Sequence, residues 1–371
     1  MELKMSEPDL KSLFNKFRTT GTWLEGSATG SGHIHSTYLI RTVENDQPDY
    51  ILQKINNKVF PPVAEMMDNI QMITDHIRNK KGEGNRMQVL EIIETKSGKN
   101  HYAGPRGDLW RLYKKISPGI SYDTVPNTNV AREAGRAFGQ FIADLDDLPA
   151  GKVFQVVPGF NSMEMRYDQF KKALLADPAK RAGEVKEEID FVFANIDRML
   201  IIPRLEKEGK LPLRITHNDT KINNVLFDEK DRAVCVIDLD TVMPGLSLYD
   251  FGDTIRTAAS TAEEDEADLE KVDFSTKVLK AYSEGFIEKT ASFLTPCETD
   301  YLALSAQYMT FIMGLRFLTD YIAGDIYYTI SYGKQNIRRC RAQFRLMSRM
   351  AERYDETQDI ILQTAERCRK G

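Results

Sequence analysis

Two short stretches in the second half of the chain combine acidic, basic and amide side chains at close spacing. Residues 216–224 read Thr-His-Asn-Asp-Thr-Lys-Ile-Asn-Asn, and residues 236–240 read Val-Ile-Asp-Leu-Asp. Asp219 can orient an attacking hydroxyl and take its proton, and Lys221 can reach a phosphoryl group in transfer. Asn224 and Asp238 offer the oxygen ligands that Mg2+ prefers. Because phosphoryl transfer needs positioning and charge neutralisation, this set predicts metal-assisted transfer from ATP.

Other side chains in and near these stretches are expected to support the loop. The order His-x-Asp-x-Lys-x-x-Asn, followed by an apolar strand that ends in Asp, is the catalytic-loop layout of kinases. His217 is predicted to bond backbone carbonyls, and Asp250 to accept backbone N–H bonds. Asp250 also begins an Asp-Phe-Gly phrase, but it lies too far past Asn224, so Asp238 fits the metal role better. Asp240 is a spare carboxylate for a second metal or for loop backbone groups.

A glycine-rich segment near the amino terminus, residues 26–32, is the candidate phosphate-binding loop. Glycine lets backbone N–H groups approach a phosphate closely. We therefore assign Gly30, Ser31 and Gly32 to the nucleotide. The segment lacks Gly-Lys-Ser/Thr, so it is not a Walker A loop.

A lysine that pairs with the nucleotide's phosphates is expected on the strand after this loop, where kinases carry it. Lys54 stands there, and we predict that it faces the phosphates. Gln53 precedes it, and because side chains alternate between the faces of a strand, a shift of one residue would turn Gln53 inward instead. Glu65, on the predicted helix that follows, is the candidate carboxylate partner.

The elements around these residues change character near residue 116. Strands dominate before it, helices dominate after it, and Ser117-Pro118-Gly119 is a turn that predicts a hinge. We predict an α+β, two-lobed, protein-kinase-like fold. A β-rich nucleotide-binding lobe with one inserted helix would span residues 1–116, and a mainly helical catalytic and substrate-binding lobe residues 117–371. The helices are predicted at residues 1–20, 63–76, 131–145, 167–174, 182–205, 268–290, 297–322 and 333–369, and the strands up to Ile40 and at residues 50–55, 89–95, 109–116, 225–227 and 234–237.

The composition bounds the class of protein. The chain has 371 residues, too many for one small core, with 42% hydrophobic and 28% charged residues. A net charge of -5 gives no basic field for nucleic acid or anionic lipid. Without a signal peptide or an apolar run of the ~20 residues that a membrane helix needs, we expect a cytoplasmic protein with no membrane partner. The four scattered cysteines are expected to be free thiols, and the oligomeric state stays open.

Residues 314–328 form a further candidate region, because they mix apolar positions with Arg316, Asp320 and several tyrosines. Sugar sites use planar hydrogen-bonding groups and an aromatic wall. A helix end with solvated polar residues would show the same mixture, so the region alone does not decide between the two.

Together these motifs resemble the aminoglycoside phosphotransferase and choline kinase superfamily, small-molecule kinases with a protein-kinase-like fold. The resemblance spans nearly the whole chain and is closest to the bacterial N-acetylhexosamine 1-kinases. The phrases that carry it are Gly-Ser-Gly-His-Ile (30–34), Ile-Leu-Gln-Lys-Ile-Asn (51–56), Trp-Arg-Leu-Tyr (110–113), Pro-Gly-Phe (158–160), Thr-His-Asn-Asp-Thr-Lys (216–221), Ile-Asp-Leu-Asp-Thr-Val-Met-Pro-Gly (237–245) and Arg-Phe-Leu-Thr-Asp-Tyr (316–321).

The resemblance implies ATP and Mg2+ as cofactors and transfer of the γ-phosphate to the anomeric (C1) hydroxyl of N-acetylglucosamine or N-acetylgalactosamine. Arg316 and Tyr327 match positions that line the sugar pocket. Backbone groups between Tyr113 and Ile116 would meet adenine. One departure is His35, which stands where an asparagine is expected in Gly-His-Ile-Asn, and we place it with the substrate-binding residues.

Other interpretations remain open. The acceptor could be another small alcohol, such as choline, homoserine, methylthioribose or an aminoglycoside. A cationic acceptor needs acidic or aromatic lining, which the acidic run at residues 263–270 could supply, although a solvated loop is the simpler interpretation of that run. The chain could also be a pseudokinase that binds nucleotide without catalysis, against which the complete set of Asp219, Asn224 and Asp238 argues. Protein kinase activity is disfavoured, because no Ala-Pro-Glu phrase follows Asp238.

Overall fold

A five-stranded antiparallel sheet forms the first part of the chain in the computed structural model, which describes residues 7–29, 34–80 and 87–370. Its strands are β1 (Trp23–Ala28), β2 (Ser36–Thr42), β3 (Tyr50–Ile55), β4 (Tyr102–Ala103) and β5 (Leu109–Lys114). They lie in the order β1-β2-β3-β5-β4. Because partners across antiparallel strands share a face, the register of β3 decides which of its side chains turn towards the rest of the molecule.

One face of the sheet packs on helix α1 (Glu7–Phe14) in a small apolar core of its own. Phe14 contacts Tyr50 edge to face, with ring centroids 5.5 Å apart. Leu52 and Trp110 are buried in the same core. The helix predicted over residues 1–20 is therefore shorter at its carboxyl end, and residues 1–6 lie outside the described residues.

The opposite face of the sheet is covered by helix α2 (Val63–Lys80), which joins the sheet to the rest of the molecule. Its apolar residues belong to the same large core as the later helices. The Asn69 side chain donates hydrogen bonds to the carbonyls of Phe154 (2.7 Å) and Val242 (3.2 Å) and accepts one from Phe154 N–H (2.9 Å). The predicted α+β class is confirmed, and the lobe boundary at residue 116 stays a prediction.

Helices and two small antiparallel ribbons make up the remainder of the described chain. One ribbon pairs β6 (Arg214–Thr216) with β9 (Met243–Gly245). The other pairs β7 (Val225–Phe227) with β8 (Ala233–Val236), and these two strands are the ones predicted at residues 225–227 and 234–237. The helices are α3 (Thr128–Leu145), α4 (Met163–Ala176), α5 (Lys186–Met199), α6 (Ile201–Lys207), α7 (Ser247–Ala258), α8 (Thr276–Thr290), α9 (Pro296–Ala323), α10 (Gln335–Glu352) and α11 (Tyr354–Lys370).

Glycines bring α3 and α8 into backbone contact. A Cβ added at Gly135 would lie 2.2 Å from the Tyr282 carbonyl oxygen, and one at Gly285 would lie 2.0 Å from the Arg132 carbonyl oxygen. Only glycine allows this approach. The contact fixes α3, whose aromatic residues reach the catalytic loop.

Several predicted elements differ from the structure. The strand predicted at 89–95 is reduced to isolated bridges, which join Ile92 to Tyr113 and Thr95 to Phe17. The long helices predicted at 182–205, 268–290 and 333–369 are interrupted or start later, and α7 was not predicted. Helix α9, with 28 residues, is the longest of the described helices and is largely buried. None of the described helices is both long and apolar enough to cross a membrane.

Candidate active site

A buried aspartate at the start of α7 holds the loop between β6 and β7 through hydrogen bonds to its backbone. Asp250 accepts hydrogen bonds from the backbone N–H groups of His217 (2.8 Å) and Asn218 (2.7 Å). The Thr220 hydroxyl donates to the Asp250 carbonyl (2.6 Å). Burial raises the pKa of the Asp250 carboxyl to about 6. The structure thus places Asp250 in contact with the loop backbone, where the sequence expects it.

The His217 ring ties this loop to the strand that leads to Asp238. Its Nε2–H donates to the carbonyl of Ile237 (2.9 Å), and its Nδ1 accepts from the N–H of Asp219 (3.3 Å). The fully buried ring lies edge-on to Phe138 and Phe141 of α3. With one nitrogen bonded to the Ile237 carbonyl and the other to the Asp219 N–H, the ring holds the loop in place.

Asp219, Lys221, Asn224 and Asp238 come together at the open side of the loop. The Lys221 ammonium is 2.9 Å from Asp219 Oδ1. Asn224 Nδ2 donates to the Asp219 carbonyl (2.8 Å) and to its Oδ2 (3.2 Å). Ile237 N–H donates to the Asn224 carbonyl (2.9 Å), so Asp238 follows one residue beyond this bond. Two acids, an amide and a cation therefore share one corner of the cleft.

The two acids have opposite electrostatic environments. Burial would raise the pKa of Asp219, but the Lys221 ammonium together with other nearby positive charge, including that of Arg256, outweighs it and lowers that pKa. The pKa of Asp238 is raised to about 6, because crowding by protein removes water from around it and Asp240 and Asp219 repel its charge. The Asp238 side chain still opens to solvent in the cleft. Asp219 is thus ionised at neutral pH, while Asp238 is a carboxylate short of positive charge.

Asp240 is not available to a second metal, because it is enclosed in an ion pair. Arg111, on β5, makes hydrogen bonds to both Asp240 oxygens, one of them at 3.0 Å from Nη2. His35 bonds the same carboxylate through Nε2, and its Nδ1 accepts from the N–H of Asn56 (3.0 Å). Both His35 nitrogens are engaged and its side chain is 7% exposed. The prediction that His35 binds the substrate is therefore wrong.

Arg111 was missed by the sequence reasoning, although a signal was present. It is a charged residue in the middle of the apolar phrase Trp-Arg-Leu-Tyr, and its side chain is 1% exposed. A charge in a buried strand needs a partner, and Asp240 and the amide of Gln53 supply it, the latter accepting from Arg111 Nε at 2.9 Å.

The prediction that Lys54 faces the phosphates is wrong, and the alternative register holds. Lys54 pairs with Trp110 and shares the α1 face of the sheet with Leu52. Gln53 pairs with Arg111 on the opposite face, which turns towards the catalytic loop. Glu65 is exposed on α2, and no Lys54–Glu65 ion pair occurs among the described residues. The buried ion pair on this face of the sheet is instead that of Arg111 and Asp240.

The remaining predicted nucleotide residues are placed only in part. Gly30, Ser31 and Gly32 lie outside the described residues. Tyr113 is buried, pairs with Ile51, and has the Arg111 guanidinium carbon 5.2 Å from its ring centre. Beyond β5, the backbone N–H and C=O of Ile116 make no hydrogen bond within the described chain. These groups, unlike the strand before them, are free to meet a base.

Arg316 stands among aromatic rings on the other side of the catalytic loop. Its guanidinium carbon is 5.8 Å from the ring centre of Phe160, 5.9 Å from that of Tyr327 and 5.6 Å from that of Tyr328. The residue after Phe160 is Asn161, whose amide donates to Asn218 Oδ1 at 3.3 Å. The segment that carries Phe160 is therefore joined to the catalytic loop.

A second buried aspartate, Asp320, shapes the loop that carries the tyrosines. It accepts hydrogen bonds from the backbone N–H groups of Ile326 (2.9 Å), Tyr327 (2.8 Å) and Tyr328 (3.0 Å). The amide of Asn336 adds a fourth bond at 2.9 Å. The sequence reasoning missed this role, although an aspartate three positions after apolar Phe317 in a helix was visible.

The acidic run at residues 263–270 is largely held against basic groups. Glu264 lies 3.5 Å from Arg256 and 3.5 Å from Arg339. Glu270 lies 2.9 Å from Arg345. The interpretation of the run as a solvated loop is therefore only partly right, since several of its carboxylates are already neutralised.

The braced loop, the paired acids and the β-sheet above them define a kinase-like phosphotransferase site. A sequence model of the APH phosphotransferase enzyme family matches residues 25–282, and the chain belongs to that family.

Solved structures of small-molecule kinases share this fold. A microcompartment-associated aminopropanol kinase has a TM-score of 0.59 at 13% identity, over 95% of this chain and 98% of that one. An amicoumacin kinase in complex with AMP-PNP and Ca2+ has a TM-score of 0.55 at 12% identity, over 96% and 94%. An ethanolamine kinase from Plasmodium vivax has a TM-score of 0.53 at 13% identity, over 86% and 82%. At these identities, the likeness establishes the fold and leaves the acceptor open.

Proposed function

We propose that this protein is an ATP- and Mg2+-dependent kinase that transfers the γ-phosphate to the anomeric (C1) hydroxyl of N-acetylglucosamine or N-acetylgalactosamine. The observation that carries the proposal is a complete kinase catalytic loop joined, through Asn161 and Asn218, to an arginine set among aromatic rings. Nucleotide use is further supported by the fold it shares with a kinase solved with AMP-PNP. The choice of sugar rests on the resemblance of its motifs to the N-acetylhexosamine 1-kinases.

The loop supplies the side chains that act on the acceptor hydroxyl and on the transferred phosphoryl group. The C1 oxygen of the acceptor attacks the γ-phosphorus while the bond from that phosphorus to the β,γ-bridging oxygen breaks, and ADP leaves. The hydroxyl proton passes to the Asp219 carboxylate, whose lowered pKa keeps it ionised and ready at neutral pH. Lys221, beside that carboxylate, places a positive charge where the phosphoryl group passes.

The side-chain oxygen atoms of Asn224 and Asp238 are suitable ligands for a hard divalent cation. Asn224 uses its amide nitrogen to bond Asp219, which leaves its Oδ1 without a hydrogen bond among the described residues. Asp238 has no hydrogen-bond partner there, and neighbouring negative charge raises its pKa to about 6. A carboxylate and an amide oxygen are ligands that Mg2+ prefers. When bound, Mg2+ would neutralise charge on the phosphates. Asn224 and Asp238 would hold it.

The acceptor side favours a sugar over a cationic alcohol. A cationic acceptor needs free carboxylates or an open aromatic box. The aromatic faces around Arg316 are already occupied by its guanidinium, and Glu264 is shared by two arginines. Tyr327, which is 68% exposed, keeps one ring surface for a sugar. This arrangement is a reason to rank choline and aminoglycosides below a hexosamine.

The test is ADP release from magnesium–ATP with a panel of acceptors, followed by NMR assignment of the phosphorylated carbon. The panel contains N-acetylglucosamine, N-acetylgalactosamine, other hexoses, choline, homoserine and an aminoglycoside. We expect phosphate on C1 of a hexosamine, abolished in Asp219→Asn and retained in Asp359→Asn, a matched change at an exposed aspartate of α11. Turnover of another alcohol alone would keep the kinase and reject the sugar. Nucleotide binding without any turnover would favour a pseudokinase.

A further inference from the structure

Two guanidinium groups stand beside each other on the acceptor side without a carboxylate partner. Arg166, in α4, donates from Nη1 to Gln169 Oε1 (3.0 Å) and from Nη2 to the Phe160 carbonyl (3.1 Å). Its Nε is buried and has no hydrogen-bond partner in the described part of the chain. Arg316 donates to the sulfur of Met313 (3.3 Å) and lies over aromatic faces, with no other hydrogen bond among the described residues. Among the described residues, neither arginine makes an ion pair.

A third donor lies beside Arg316. The Tyr328 hydroxyl is buried and has no hydrogen-bond partner among the described residues. Its ring centre lies 5.6 Å from the Arg316 guanidinium carbon, and its backbone is fixed by Asp320. A buried donor without an acceptor costs free energy, so an acceptor group placed among these side chains would be stabilising.

Three carboxylates on the neighbouring helices and loops are engaged elsewhere. Glu164 is 2.6 Å from Lys207. Asp320 accepts the backbone N–H groups of the tyrosine loop and the amide of Asn336. Glu264 lies between Arg256 and Arg339. Within the described part of the chain, the positive charge of the two arginines is therefore not neutralised by a carboxylate. Burial and the charge of Arg316 lower the pKa of Arg166, which reports the same imbalance.

We propose that Arg166, Arg316 and Tyr328, hereafter the arginine–tyrosine site, bind an anionic group on the acceptor, a carboxylate or a phosphate. A guanidinium holds such a group through charge-assisted hydrogen bonds, and two partly buried, neighbouring arginines without a counter-charge favour one. The acceptor would then reach from its phosphorylated hydroxyl at Asp219 to this site along the segment that contains Phe160. This inference rests on the proposed kinase activity and specifies its substrate class as an anionic hexosamine derivative.

Matched pairs of acceptors test the inference. N-acetylglucosamine is compared with its 3-O-lactyl ether, N-acetylmuramic acid, and with its 6-phosphate, so that each pair differs by one anionic group. We expect kcat/KM for at least one anionic member to exceed that of N-acetylglucosamine by about tenfold or more. A higher kcat/KM for the lactyl ether would show that the site binds a carboxylate, and a higher kcat/KM for the 6-phosphate would show that it binds a phosphate.

Substitutions assign any preference to the site. Arg166→Gln is expected to lower the anionic-to-neutral ratio of kcat/KM about ten- to a hundredfold, and Arg166→Lys to restore part of it. Arg198→Gln is the matched control, because Arg198 also lies over a tyrosine ring, that of Tyr354, at 4.7 Å but in another part of the fold. The control should leave the ratio unchanged.

Two results would overturn the inference, and they are distinct from failure of the kinase activity. An equal or better kcat/KM for the neutral sugar rejects the site while leaving the kinase intact. An anionic preference that persists in Arg166→Gln rejects it as well. If no acceptor is phosphorylated, the proposed function fails, and calorimetric binding of the two anionic sugars decides the site independently. Binding that weakens with salt and in Arg166→Gln supports it, and no binding rejects it.

Discussion

Removing the charge of Asp240 would leave the Arg111 guanidinium without its partner inside the protein. The Arg111 side chain is 1% exposed and that of Asp240 is 3% exposed. Asp240→Asn preserves the size of the side chain, so it removes the ion pair without opening a cavity. Arg111→Met removes the other charge, and the double variant removes both.

The expected loss follows from the burial of the pair. Breaking a buried ion pair by removing one partner costs about 3–5 kcal/mol, because an uncompensated charge remains. An unfolding entropy of about 2.1 cal/mol/K per residue over 371 residues gives ~0.8 kcal/mol/K. Each single variant should therefore lower Tm by about 4–6 °C. The double variant should recover most of this loss, because no charge is left buried.

Calorimetry of the protein without nucleotide or metal measures these shifts, and pH provides a second test. Burial would raise the pKa of Asp240, but Arg111 and His35 outweigh it and lower that pKa. Because the folded pKa lies below the unfolded value of about 3.9, the stabilisation is present above that pH and is lost as the pH falls further. The difference in Tm between the wild type and Asp240→Asn should therefore become smaller below about pH 4. Single variants within about 1 °C of wild type, or a double variant that loses the sum of both, would refute the reasoning.

Three further outcomes test the catalytic loop. Asp219→Asn should lower kcat by about a thousandfold or more while calorimetric binding of magnesium–nucleotide persists, and lost binding would contradict its assignment as the base. Since the pKa of Asp238 is about 6, magnesium–nucleotide affinity should fall as the pH drops through 6, and a profile unaltered by Asp238→Asn would speak against its role as a ligand. Gly245→Ala should lower Tm and kcat, because its Cβ would lie 2.3 Å from Thr216 Oγ1, whereas Gly183→Ala, with no atom within 4 Å, should leave both unchanged.

The sequence was sufficient for the parts of the site that lie close together in the chain. The catalytic loop and the hairpin after it are within 25 residues, and their spacing follows from local geometry. His217 and Asp250 could be assigned to support because a loop with many polar groups needs internal hydrogen bonds.

The sequence was insufficient where a role depends on which face of a strand a residue occupies. Lys54 and Gln53 are adjacent, and only the pairing of β3 with β5 shows that Gln53 turns inward with Arg111. The partner of Arg111 is Asp240, 129 positions later in the chain, and no local pattern connects the two. His35 was misassigned for the same reason, since its partner is also Asp240. Contacts of this range require the packed structure.

The two sides of the site are built by the same physical device. Asp250 accepts backbone N–H groups from the loop that holds the base, and Asp320 accepts them from the loop that holds Tyr327 and Tyr328. Removing a buried carboxylate that accepts several N–H bonds costs free energy, because the donors lose their partner. While the carboxylate is present, its hydrogen bonds fix the position of the loop backbone. Each loop can therefore change the side chains that it presents without losing its position. In the function that we propose, this separation lets one phosphoryl-transfer loop stand beside an acceptor surface whose charge, here that of Arg166 and Arg316, is set independently.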